Sequence, residues 1–163
     1  MVWAKNGTPD TVSIATQPLS ISDLTAKKFN VFLAHTLNSG TASGLREDFN
    51  NNSNTVYALR RSNNGGTDST STSLAALYIS GGGVSGDEMF TINYVCSISG
   101  EEKLVIGFTV ERDTAGASND PERQEYVGKF VPSPDADITQ VDMFDAGAGN
   151  YSTGSNLSAL GTD

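Results

Sequence analysis

A single cysteine, Cys96, excludes any disulfide closed within the chain. A single histidine, His35, leaves little material for nucleophilic or acid–base catalysis, which needs a nucleophile, a base and an orienting group. Basic residues are few, 10 against 19 acidic ones, and the formal charge of −9 disfavours nucleic acid, whose binding depends on cations set against phosphates. No apolar run approaches the roughly 18–20 residues that cross a bilayer, and the opening MVWAKNG shows no signal-type apolar stretch. The expectation is a product made in a cytosol that engages neither membrane nor nucleic acid. Zinc spacing, phosphate loop and dinucleotide fingerprint are all missing, so no cofactor is expected. Only 18% of residues are charged, while Gly, Ser, Thr and Asn abound, which suits a β protein rich in turns.

What the chain does have is alternation. Between 87 and 112, Phe90, Ile92, Tyr94, Cys96 and Ile98 fall on every second residue, and Leu104, Ile106, Phe108 and Val110 resume the pattern after the break SGEE. A period of two on both sides of a Gly-containing turn predicts an antiparallel hairpin. Its apolar face must be covered, and the expected core is Phe90, Ile92, Tyr94, Leu104, Ile106 and Phe108. Cys96, on that face, reads as a small buried hydrophobe.

Short segments of the same kind recur along the chain. They lie near 2–5, 11–15, 19–22, 28–37, 45–49, 55–62, 71–80, 125–131 and 138–144, with turn residues such as NNGGTD (63–68) between them. The stretch from Asp23 to Leu37 also admits a helix, but its β-branched and aromatic content favours a strand from about Lys28. About ten short strands with turns every 8–12 residues describe an all-β, antiparallel β-sandwich, jelly-roll-like, in one domain over 1–145. The remainder, 146–163, is a Gly/Ser/Asn-rich tail with few bulky side chains, expected to dock on its own or a neighbouring subunit through Leu157 and Leu160.

Candidate chemistry is sparse, and no catalytic residue is assigned. His35 lies inside a strand and reads as structural. Glu47-Asp48, Glu101-Glu102 and Asp135/Asp137 lie at or near turns, where acids are ordinarily solvated. Asp48, Asn50, Asn52 and Asn54 fall at alternate positions like the start of a calcium loop. Ser53 stands where that loop needs glycine and Leu59 where it needs glutamate, which rules out an EF-hand. A looser oxygen site shared with Asp135 or Asp137 is the weaker reading, against Asx side chains bonding their own turn, and no metal ligand is assigned. Tyr57, Arg60, Arg61 and Tyr78 suggest a surface for a subunit contact or, alternatively, for stacking a glycan.

The runs LTAKKF (24–29), DFN (48–50), YALRRSNNGG (57–66), EEKL (101–104), TAGA (114–117) and SNLSALG (155–161) carry a resemblance. In these the chain resembles short virion-type proteins of marine phages and viruses. The likeness implies a β-sandwich structural component of a virus particle, a capsid or capsid-decoration subunit in many copies, partnered by itself and other virion proteins. It supplies no functional residues. A receptor- or glycan-binding module of a tail fibre, touching a host surface glycan, is the alternative.

Overall fold

Lys103 shows how the central hairpin closes. In the computed structural model, which describes residues 2–40, 44–80, 86–112, 114–132, 136–147 and 149–163, this lysine is fully buried. Its ammonium donates to the carbonyls of Ile98 (2.6 Å) and Glu101 (2.8 Å), so the turn wraps a cation that anchors it. Gly100 takes φ +77° there, a conformation that costs a side chain steric strain.

In chain order the strands are β1 (Ala4–Lys5), β2 (Asp10–Thr11), β3 (Leu19–Ile21), β4 (Phe29–Ser39), β5 (Leu45–Phe49), β6 (Tyr57–Asn63) and β7 (Ser69–Leu74). Then follow β8 (Leu77–Tyr78), β9 (Glu88–Cys96), β10 (Lys103–Arg112), β11 (Glu122–Phe130), β12 (Val141–Asp145), β13 (Asn150–Tyr151) and β14 (Asn156–Thr162). The described residues form two antiparallel sheets and no helix. The large sheet runs β1-β14-β4-β9-β10-β11-β6-β7, with β13 paired to β4 and β2 to β14. The small sheet runs β3-β12-β5-β8 and covers one face of the large one.

Between the sheets lies one core, built round Phe49. Its ring packs against Phe32 (6.0 Å between centroids), Tyr57 (6.3 Å) and Phe130 (5.6 Å), and Tyr57 stacks on Phe130 at 4.9 Å. Leu19, Ile21, Leu45, Leu77, Val141 and Met143 complete it. The Tyr57 hydroxyl donates to the Phe49 carbonyl and accepts from the Phe49 amide, so the phenol is satisfied inside an apolar setting.

The all-β sandwich is as the alternation predicts, and β4 starts at Phe29 as its aromatic and β-branched content requires. The two sheets, of ten and four strands, are more unequal than the paired four-stranded sheets of the simplest jelly roll. The expected strand at 71–80 is instead two strands, β7 and β8, in different sheets, and the glycine break at 81–83 lies outside the described residues. The tail takes the first of its two expected placements, on its own domain, and does so as part of the sheet. Its last strand, β14, lies inside its own large sheet between β1 and β4, with Leu157 and Ala159 in the core. Small residues there answer a close approach: a Cβ at Gly161 would sit 2.8 Å from the Lys27 side chain and 3.0 Å from that of Asn6.

Candidate interaction surface

The central hairpin buries the opposite face from the one its hydrophobicity suggests. Met89, Thr91, Asn93, Val95, Val105, Gly107 and Thr109 point at the small sheet, whereas Phe90 (51% exposed), Tyr94 (47%), Ile106 (52%) and Phe108 (44%) point away from it. Ile92 is half-buried and Leu104 exposed on the same outer side. The six residues expected in the core therefore lie on the outer face of the large sheet.

The reason is that several of the inner polar groups have partners which one strand cannot reveal, although the Asn93 side-chain nitrogen has none among the described residues. Thr91 and Thr109, opposite each other in register, share a hydrogen bond of 2.9 Å, and Thr109 donates onward to the Ile79 carbonyl. Ser80 donates to Glu111 at 3.1 Å. Tyr126 donates to Asn93 by crossing over β10 at Gly107, where a Cβ would lie 2.1 Å from the ring. Satisfied in this way, polar side chains can line a sheet interface at little cost.

The outer face forms a field in register across four strands. One row reads Val31, Tyr94, Ile106, Val127; the next Leu33, Ile92, Phe108, Glu125; the next His35, Phe90, Val110, Arg123. A fourth row, Phe29, Cys96, Leu104 and Lys129, closes one end, beside a hollow that Trp3 also lines. At the opposite end Glu88 accepts from His35 Nε2 (2.9 Å) and pairs with Arg112 (3.1 Å). The hydrogen bond from His35, and then Arg112, hold its carboxyl below the usual range. Continuous exposed apolar fields rimmed by ion pairs are the kind of surface through which proteins bind one another, which makes this face the candidate.

A second feature lies on the small sheet. Asp48 and Asp142 face each other across β5 and β12. They line a hollow with Gln17, Ser20, Asn51 and Gln140, and Gln140 Nε2 donates to Asp142 at 2.7 Å. Burial, then the charge and hydrogen bond of Asp142, push Asp48 up to about 7. One residue earlier, Glu47 points into the core and is fully buried. Burial pushes it up to about 8, against the nearby Asn93 amide and with the help of the Asp48 charge. Neither acid is the solvated turn residue expected. The signal for Glu47 was present, since it alternates with the apolar Leu45 and Phe49.

The remaining expected residues separate. Tyr57 is in the core and offers no surface. Arg60 and Arg61 point to opposite faces, Arg60 outward beside Val127 in register and Asp68 at 3.7 Å, Arg61 beside Tyr126. Tyr78 lies in the small sheet under the Arg46 guanidinium, 4.1 Å from its ring centre. Leu157 is core, while Leu160 is half-exposed on the outer face next to Val31. Asn50 does what an Asx turn residue does: its Oδ1 accepts from the amides of Thr139 and Gln140, and its Nδ2 donates to the Asp137 carbonyl. Asn52 accepts from the Asn54 amide. Asp135 lies outside the described residues, and among these no three His, Cys, Asp or Glu side chains are grouped to hold a metal. No helix of the described residues is long and apolar enough to cross a membrane.

Compared with protein-family models and with curated proteins, the chain matches none.

Proposed function

We propose that this chain is a structural subunit, a non-enzymatic β-sandwich of virion type that works in many copies by burying its large sheet against protein. The observation that supports this reading is the outer face: Phe90, Tyr94, Leu104, Ile106, Phe108, Val110 and Val127 stand exposed together on β9, β10 and β11. About 500 Å² of apolar surface removed from water contributes about 12 kcal/mol at about 25 cal/mol per Å². That is comparable with the roughly 4–15 kcal/mol lost on association, so this face is able to drive assembly. The resemblance to virion-type proteins adds the kind of assembly, a capsid or its decoration. Sedimentation and electron microscopy of the purified chain test the proposal. Multi-copy assemblies are expected, and Ile106→Asp with Phe108→Asp should dissolve them. Turnover of a substrate, abolished by changing one carboxylate in a chain that never assembles, would overturn it.

A further inference from the structure

We infer that the occupant of the outer face is a second copy of the same chain, packed sheet against sheet about a two-fold axis. This rests on the assembly reading above and names the partner it leaves open.

Size is the first argument. Strands lie about 4.8 Å apart and residues rise about 3.4 Å, so β14 to β11 and the Phe29 row to the Leu37 row span about 19 by 27 Å between backbone centres, roughly 520 Å² in projection. Side-chain relief makes the accessible area larger. A stable interface takes about 800 Å² from each partner, about a tenth of a small protein's surface. The chain exposes 7903 Å², so the outer face is the size of one such interface.

Charge is the second. The chain carries −9, yet the charged groups that the register turns outward on β9, β10 and β11 are Glu88, Glu125, Arg112, Arg123 and Lys129, two acids and three bases. The excess negative charge therefore lies elsewhere. Two identical faces, each within one charge of neutrality, meet with little repulsion, whereas a basic partner would be drawn to the acidic remainder.

Symmetry is the third. An isologous contact needs a patch complementary to itself. Ile92 and Phe108 are opposite each other in register, with Tyr94/Ile106 one row to one side and Phe90/Val110 one row to the other. A two-fold axis along the Ile92/Phe108 row sets Tyr94 of one copy against Phe90 of its partner and Ile106 against Val110, so β9 and β10 meet apolar on apolar, while at the margin on β11 Val127 meets Arg123 and Glu125 lies on the axis. Sheets packed face to face lie about 10 Å apart, a distance that side chains of this size fill.

The test uses the full chain in a Cys96→Ser background, with one new thiol and a short bismaleimide. Phe108→Cys, at the axis, is expected to give a covalent dimer at high yield, and Ser53→Cys, on an exposed loop, to give none. Phe108→Asp without cross-linker should sediment as a folded monomer. If assemblies form but Phe108→Cys stays unlinked and Phe108→Asp leaves them intact, the face-to-face contact is wrong while the structural reading stands on another surface. If the unmodified chain is monomeric at its highest attainable concentration, both fall.

Discussion

Tyr126 donates its hydroxyl to Asn93 across an intervening strand, over the bare backbone of Gly107. The three residues are register neighbours on β11, β10 and β9, so the phenol replaces the side chain that β10 omits. Any Cβ at 107 must displace the ring, because it would also lie 2.2 Å from Asn93 Oδ1. Burial raises the Tyr126 pKa well above its ordinary value, and the charge of nearby Glu47 adds to this, so the phenol remains a donor at neutral pH.

Gly107→Ala is expected to destabilise the fold by about 3 kcal/mol through overpacking. Tyr126→Phe should cost about 1–2 kcal/mol by leaving the Asn93 acceptor unpaired. Combining Gly107→Ala with Tyr126→Ala should cost less than the two single changes added together, since the added methyl then finds room. Additive losses in urea melts would mean that the ring and the glycine are not coupled.

The two faces of the large sheet should respond differently. Phe130→Ala, in the core, is expected to cost about 3–5 kcal/mol. Phe108→Ser, on the outer face, should change the stability of the dilute monomer by less than about 0.5 kcal/mol. Denaturant midpoints measured below the assembly concentration decide this. A loss of several kcal/mol from Phe108→Ser would place that ring inside the fold.

The same contrast shows how far the chain could be read from its residues alone. Alternation at 88–112 gives the phase of a strand, and that phase was right. It does not say which face meets the other sheet, because burial inside the domain and burial against another molecule leave the same apolar stripe. Thr91, Asn93 and Thr109 look like a solvent face until Ile79 and Tyr126 are brought to them by other strands. The tail was legible in part: docking on its own domain was one of the two placements expected, and Leu157 is an anchor there. Composition did not tell that the segment is a strand of its own sheet, where the bare backbone of Gly161 answers the close approach of Lys27 and Asn6.

Stability should fall as pH rises from about 4.5 to 8. Glu47, at an ordinary 4.5 when unfolded and about 8 when folded, keeps its proton in the native state over a range where the unfolded chain loses it. Asp48, raised from 3.8 to about 7, acts in the same sense over a lower range. The stabilising protonated state is thus complete below the unfolded values and is lost by the time pH passes the folded ones. Asp142, Asn93 and Tyr126 are the polar neighbours of this pair and do not reverse the sign. Glu47→Gln, which cannot ionise, is expected to flatten the profile and to raise stability near pH 8. A wild-type chain more stable at pH 8 than at pH 5 would contradict the assignment.

Two leucines three residues apart on β14 should separate folding from assembly. Leu157 is fully buried in the core, so Leu157→Ala is expected to cost about 2–5 kcal/mol by transfer and cavity terms. Leu160 stands on the outer face beside Val31, so Leu160→Ala should leave the monomer within about 0.5 kcal/mol of the parent while weakening assembly. Deleting the whole of β14 removes more than either: β1, β2 and the edge of β4 lose their partner, and the Lys27–Asp163 ion pair goes with it. The exposed edge of β4 would present a long row of unpaired amides and carbonyls, so the truncated chain is expected to aggregate rather than fold. Circular dichroism and sedimentation of the three variants check this together. A truncated chain that melts cooperatively near the parent temperature would show that β14 is an appendage of the sheet and not part of its frame.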